Sequence, residues 1–157
     1  GNWNSGSAQI FKIVWDGMKF YTRGITGYVD VNDVVDAIVH LMNDENFKKQ
    51  KNQRFLLSAE NLSYQDIFIK IADAFEKPRP KYHASPFLLA FVWRAAALYG
   101  RLSGNPSAIT RETASSSASV RKFDGSKITR ELNFNYRPVA QSIQQTTKFF
   151  LKDLSNK

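Results

Sequence analysis

Asp30, Asp33 and Asp36 recur at every third position within Gly27-Tyr28-Val29-Asp30-Val31-Asn32-Asp33-Val34-Val35-Asp36-Ala37. Carboxylates spaced this closely can in principle share a proton and do general acid/base work. The simpler reading is structural. Asp33 stands at an N-cap position with Asp36 three residues on, a capping box with Asp in place of Glu, and both suit the positive end of a helix dipole. Other chemistry-bearing side chains are sparse. His40 falls inside a helical stretch and His83 follows a proline-rich connector, so each reads as a packing or solvated residue rather than a ligand. With no cysteine and two histidines, disulfides and thiolate metal sites are excluded and a histidine-rich metal site is disfavoured. The eight glycines fit neither G-x-G-x-x-G nor the P-loop, and the G-x-S-x-G elbow is absent. No catalytic residue and no metal ligand is assigned.

The elements that would position these residues follow from period and punctuation. Ser7 can cap a helix over 8–16 with Ile10, Phe11, Val14 and Trp15 as its apolar stripe, stopped by Gly17. Short strands are expected over 19–22, 28–31 and 55–58, the last apolar enough to be buried on both faces. Between the last two, a helix from Asp33 should turn Val34, Val35, Ile38, Leu41 and Met42 inward. Ser63-Tyr64-Gln65-Asp66 forms a second capping box before a helix burying Ile67, Phe68, Ile71, Ala72 and Phe75. Pro78-Arg79-Pro80 is a stiff connector, and Ser85-Pro86 opens a helix running to about Leu102. Residues 103–119 read as a long loop or irregular segment. Asp124 can cap a short helix carrying Ile128 and Leu132, and Pro138 opens a last one with Val139, Ile143, Thr147, Phe150 and Leu154 in helical register. Three scattered strands are too few for an independent doubly wound sheet. Their alternation with helices suggests parallel pairing, and the expected fold is α/β, helix-rich, with an incomplete sheet and exposed apolar surface.

Composition sets the bounds. A chain of 157 residues, 43% apolar with 12 Phe, 6 Tyr and 3 Trp, can bury a core and fits one domain or half of a two-domain enzyme. The net charge of +8 raises an acidic partner, but the charges are scattered and read as a solvated surface rather than a nucleic-acid interface. The densest basic stretch, residues 48–54, lacks interleaved aromatics and is expected to be an exposed loop. The apolar run 86–99 is interrupted by Arg94 and falls short of the roughly 20 residues that span a bilayer, so no membrane partner is assigned. Lack of a secretory signal and of cysteine suits a cytoplasmic protein.

Two segments carry a family resemblance. Tyr28-Val29-Asp30-Val31-Asn32-Asp33-Val34 is similar to the aromatic-Val-Asp-Val-Arg-Asp-Val signature of the dihydroflavonol-reductase-like branch of extended short-chain dehydrogenase/reductases, with Asn32 in place of Arg. Phe123-Asp124-Gly125-Ser126-Lys127, Arg130-Glu131-Leu132-Asn133-Phe134 and Arg137-Pro138 resemble the closing segment of the same proteins, with Asn133 in place of Gly. Asn tolerates the left-handed backbone that such a helix end requires. Gly1-Asn2-Trp3 resembles the end of a Gly-Pro-Gly loop after the sixth strand of the cofactor domain. The whole chain thus resembles the C-terminal half of the NAD-dependent epimerase/dehydratase group.

The resemblance implies that NAD or NADP and the catalytic Tyr-x-x-x-Lys belong to an N-terminal Rossmann domain. Tyr21, Tyr28, Tyr64, Tyr82, Tyr99 and Tyr136 lack a lysine four residues on. This chain alone would bind no cofactor and catalyse nothing; it would close over a small-molecule substrate with the missing Rossmann domain as its partner, and a homodimer is compatible. The positions matching the family's substrate side are Asn2, Trp3, Phe20 and Tyr21, with the loop around 103–119. Thr26 and Gly27 replace an Arg-Asp pair common in sugar-nucleotide enzymes of the superfamily, although Arg23 could substitute. Reduction of a small carbonyl compound is therefore favoured over nucleotide-sugar epimerisation or dehydration. The rival from another class is a free-standing binding module of the same fold that docks an acidic partner.

Overall fold

Where each helix starts is decided by which polar side chain reaches its free N–H groups. The computed structural model describes residues 2–85, 87, 90–91, 94–95 and 116–156. The expected helix from 86 to 102, residues 103–115 of the expected loop, and Gly1 lie outside these, apart from the scattered positions named. Residues 116–118 form a single helical turn, and the backbone then runs alongside Gly24 and Ile25, bridging at Ile25 and Val120. Helices α1 (Ala8–Trp15), α2 (Val31–Met42), α3 (Asp44–Lys49), α4 (Tyr64–Ala74), α5 (Ser126–Leu132) and α6 (Val139–Ser155) are joined by strands β1 (Phe20–Tyr21), β2 (Ile25–Tyr28), β3 (Glu60–Ser63) and β4 (Tyr82–His83). The architecture is α/β and helix-rich, and among the described residues the sheet content is two two-stranded pairs, β1 with β4 and β2 with β3. Strand β1 runs parallel to β4, with Phe20 opposite Tyr82 and Tyr21 opposite His83. Strands β2 and β3 are antiparallel, because Tyr28 O accepts from Ala59 N–H while Gly24 O accepts from Tyr64 N–H. Among the described residues, parallel pairing therefore holds for β1 with β4 and for the isolated Ile25–Val120 bridge, and not for β2 with β3.

The chain divides into two compact units, Gly1–Ile25 with Ser63–Arg121, and Thr26–Leu62 with Lys122–Lys157. In the first, α1 packs on α4. Ile67, Phe68, Ile71, Ala72 and Phe75 are buried as their spacing predicts, together with Val14 and Ala84. Edge-on aromatic contacts, Phe11 to Phe75 at 6.4 Å and Trp15 to Phe75 at 5.2 Å, knit the two helices together. The Ser63–Asp66 capping box closes in full. Ser7, in contrast, makes no side-chain cap, since its own backbone is already helical. Gly17 ends the helix at φ +92°, a left-handed conformation open to glycine.

The second unit is built on Ala37, Ile128, Leu132 and Phe134, with Leu41, Phe55, Leu57 and Tyr136 packed against them. Helix α6 adds Val139, Ile143, Thr147 and Phe150, while Leu154 stays exposed. Asn133 adopts the left-handed φ of 51° that ends α5, and His40 Nε2–H donates to Leu132 O at 3.1 Å across the same helix end. Four expectations are corrected in this unit. The strand expected at 28–31 is Ile25–Tyr28, because Asp30 caps a helix that starts at Val31. Residues 55–58 form no strand, and pairing occurs instead at Glu60–Ser63. Residues 48 and 49 close α3, where Lys49 pairs with Glu45, rather than opening a loop. Helix α2 turns Asp33 and Ala37 inward, whereas Val35, Ile38 and Met42 of the expected apolar face are exposed.

Candidate functional site

The four residues matching a substrate side all lie in the first unit. Asn2 Oδ1 accepts from Asn4 N–H at 3.0 Å, which tightens the turn before α1. Trp3 sits edge-on to Phe11 with ring centres 6.5 Å apart. Phe20 and Tyr21 alternate across β1, so their rings leave opposite faces of the ribbon. Phe20, 48% exposed, lies beside Tyr82 at 5.7 Å; Tyr21, half-buried, lies beside His83 at 5.7 Å. The parallel β1/β4 pairing thus builds a small aromatic ribbon of Phe20, Tyr82, Tyr21 and His83, mostly facing solvent. Tyr82 and His83 were not singled out as partners of β1. A two-residue strand after a proline connector has no period to betray it.

The carboxylates resolve differently from their spacing. Asp30, not Asp33, is the N-cap: its Oδ1 accepts from Asn32 N–H at 2.7 Å. Burial alone would raise the Asp30 carboxyl, but the Ser142 hydroxyl, Asn32 and the Arg137 charge outweigh it and hold the group below its usual value. Asp33 is 1% exposed. It accepts from Arg137 N–H at 2.9 Å and from Arg137 Nη1 at 2.5 Å, while Arg137 Nη2 reaches Asp36 at 2.7 Å. The pair that could have shared a proton is therefore an arginine clamp that ties α2 to the entry of α6. Both halves of the clamp are visible in sequence, one in the aspartate run and one in Arg137-Pro138, but nothing local announces that they meet.

Glu60 Oε1 accepts from Val139 N–H at 2.8 Å and caps α6 from a distant strand. Asp124 Oδ1 accepts from both the N–H and the hydroxyl of Ser126, at 2.9 and 2.5 Å. These bonds hold its carboxyl below its usual value. Gly125 is the residue that directly precedes α5. Asp124 closes the turn from one position further back.

Could a dinucleotide be held here? A pyrophosphate needs free N–H groups at a strand-to-helix turn and a glycine that lets it approach. The two such turns described, β2 to α2 and β3 to α4, already give N–H groups to Asp30 and to the Ser63–Asp66 box. Both N-termini carry their own carboxylates, which repel an incoming diphosphate. Neither of these two turns fits a pyrophosphate. Burial pushes the Tyr136 hydroxyl up, and it donates to Gly125 O at 3.0 Å. Among the described residues no group of three or more His, Asp or Glu could hold a metal ion, and no helix is long and apolar enough to cross a membrane.

Neither a protein-family profile nor a curated protein sequence matches the chain. Solved structures do. The crystal structure of gox2253 superposes with a TM-score of 0.66 at 20% identity, over 92% of this chain and 43% of that one. PA4631, described as a nucleoside-diphosphate-sugar epimerase from Pseudomonas aeruginosa, also gives 0.66 at 20% identity, over 94% of this chain and 43% of its own. The chain thus spans less than half the length of these neighbours, and what it shares with them is the fold of part of an epimerase-like protein.

Proposed function

We propose that this chain is the substrate-binding part of an NAD(P)-dependent oxidoreductase or epimerase acting on a carbonyl/alcohol pair, with catalysis and the nicotinamide supplied by a Rossmann domain. The observation that carries this reading is the superposition of nearly the whole chain on 43% of an epimerase structure. The lack of a dinucleotide fit at both strand-to-helix turns supports it, and the two signature segments favour the dihydroflavonol-reductase-like branch. The position of the absent Arg-Asp pair bears on the substrate. A side chain at Gly27, the aspartate's place in that pair, would bring its Cβ to 2.5 Å from Ser58 Oγ and 2.9 Å from Phe123 Cδ2, so β2 crowds out that aspartate, while Thr26 stands where the arginine would be. That favours a small carbonyl substrate over a diphosphate-linked sugar, which would want an arginine clamp. In the other direction, the description of PA4631 favours a nucleotide sugar.

The test uses the protein encoded by the complete reading frame that contains this sequence. It is assayed with NADPH and NADH against small ketones and aldehydes and against nucleotide sugars. Trp3→Ala and Tyr21→Ala are each expected to raise KM by roughly tenfold, as loss of a half-buried aromatic contact would. The Kd for the nicotinamide should not change. Unchanged KM in both variants, or a weakened nicotinamide Kd, would remove these residues from the substrate side.

A further inference from the structure

Strands β1 and β4 bring like charges together. Lys19 O accepts from Lys81 N–H and from Tyr82 N–H, each at 3.0 Å, and Tyr21 O accepts from Ala84 N–H at 2.8 Å. The register of Phe20 with Tyr82 and Tyr21 with His83 therefore extends one step back, setting Lys19 beside Lys81 on backbones about 5 Å apart. Side chains alternate along extended chain, so Lys19, Tyr21 and Arg23 leave one side of the ribbon together with Lys81 and His83. The ring contact of Tyr21 with His83 lies on that side. Burial agrees: Thr22, Gly24 and Ala84 are buried, whereas Lys19, Arg23, Lys81 and His83 are exposed and Tyr21 is half-buried.

Like charges side by side on neighbouring strands destabilise them unless a group of opposite sign stands between. The described residues supply none. In this unit Asp16 pairs with Lys12, Asp73 holds Nε and Nη2 of Arg79, and Asp66 is engaged in its capping box. No described carboxylate pairs with Lys19, Arg23 or Lys81. The lysines and the arginine are donors only, and the Tyr21 hydroxyl and the His83 ring can donate as well. Such a set fits a group that only accepts and carries more than one negative charge. A phosphate monoester does both, with three acceptor oxygens and close to two charges at neutral pH, and its oxygens match the fork of a guanidinium. A carboxylate, with one charge, would leave most of the cluster uncompensated.

We propose that the Lys19, Tyr21 and Arg23 side of the β1/β4 ribbon, with Lys81 and His83, is a binding site for a phosphate monoester. Only the assignment of that phosphate to the substrate rests on the functional reading above. On that reading the substrate is a phosphorylated small carbonyl compound.

The two histidines, His40 and His83, fall one in each unit, so their ring C–H resonances report separately. In the 157-residue chain they are followed by NMR while inorganic phosphate replaces chloride at constant pH and ionic strength. The His83 resonances should shift saturably and those of His40 should stay in place. Lys19→Gln and Lys81→Gln should each weaken the apparent Kd by roughly tenfold, as loss of a charge-assisted hydrogen bond does. Lys48→Gln, in the other unit, should leave it unchanged. The same titration of the protein encoded by the complete reading frame, with His83 assigned through His83→Gln, frees the test from whether the shorter chain folds alone. A saturable shift of His83 in neither protein, equal shifts of both rings, or an unchanged Kd in Lys19→Gln and Lys81→Gln would overturn the site. The source of the phosphate is read from turnover by the longer protein, with dihydroxyacetone and dihydroxyacetone phosphate as a matched carbonyl pair. Competition by inorganic phosphate, with kcat/KM at least roughly tenfold higher for the phosphorylated member, places the phosphate on the substrate. Phosphate binding that leaves KM unchanged supports the site as one for a separate phosphorylated ligand. Phosphate binding without nicotinamide-dependent turnover would spare the site and sink only the functional reading.

Discussion

Replacing Asp33 by alanine should cost about 3 kcal/mol of stability, the lower end of what breaking a buried ion pair costs. In a chain of this size that is roughly a 10 °C fall in Tm. The argument turns on burial. Asp33 is 1% exposed and takes two bonds from Arg137, one from the backbone N–H and one from the guanidinium. Its loss orphans an N–H at the start of α6 and leaves a small void against the core. Asp36 holds the other arm of the same guanidinium at a similar distance, but its side chain is 52% exposed. Water and salt screen that arm, so Asp36→Ala should cost no more than about 0.5 kcal/mol. Asp33→Asn keeps an acceptor and should fall between. Thermal unfolding of the three variants in low and high salt decides the matter: equal losses at 33 and 36 would contradict the clamp.

Gly125→Ala should be as damaging, for a reason unrelated to backbone freedom. Its φ of −88° suits any residue. A Cβ there, however, would lie 2.2 Å from Ser58 O and 2.6 Å from Ser58 N. Those are backbone atoms of a neighbouring segment and cannot rotate away, so α5 must shift off the core it anchors through Ile128, which is wholly buried. Overpacking of this kind costs about 3 kcal/mol. Gly27→Ala provides the contrast, since its first obstacle is the Ser58 side-chain oxygen. Ser58→Gly should therefore relieve Gly27→Ala in part, with the Phe123 ring at 2.9 Å still in the way, and leave Gly125→Ala uncorrected. Denaturant midpoints of the two double variants test this, and rescue of both would show that the clash is not with the backbone.

The legible parts of this fold were those fixed within a turn or two of chain. The Ser63–Asp66 box, the apolar stripe of α4, Gly17 and the left-handed Asn133 all follow from residues within a few positions of one another. What was misread depends on groups far apart in sequence. Asp33 looked like a cap because its partner Arg137 stands 104 residues away; with Arg137 pairing it, Asp30 is left to cap α2. The apolar face of α2 was placed inward because period alone cannot say which of two apolar sides meets the core. Residues 55–58 read correctly as apolar and extended, but a strand needs a neighbour, and none of the described residues provides one. Of the residues matched to a substrate side, Phe20 and Tyr21 fell on the expected strand, yet the ribbon they form with Tyr82 and His83 depended on a parallel pairing across more than 60 residues.

The most direct test of the central claim is a fluorescence titration of NADPH and NADH against the 157-residue chain and against the protein encoded by its complete reading frame. The account predicts no saturable binding by the short chain and saturable binding, in the micromolar range common for such sites (about −8 kcal/mol), by the longer protein. Saturable binding by the short chain, or none by the longer protein, would contradict it.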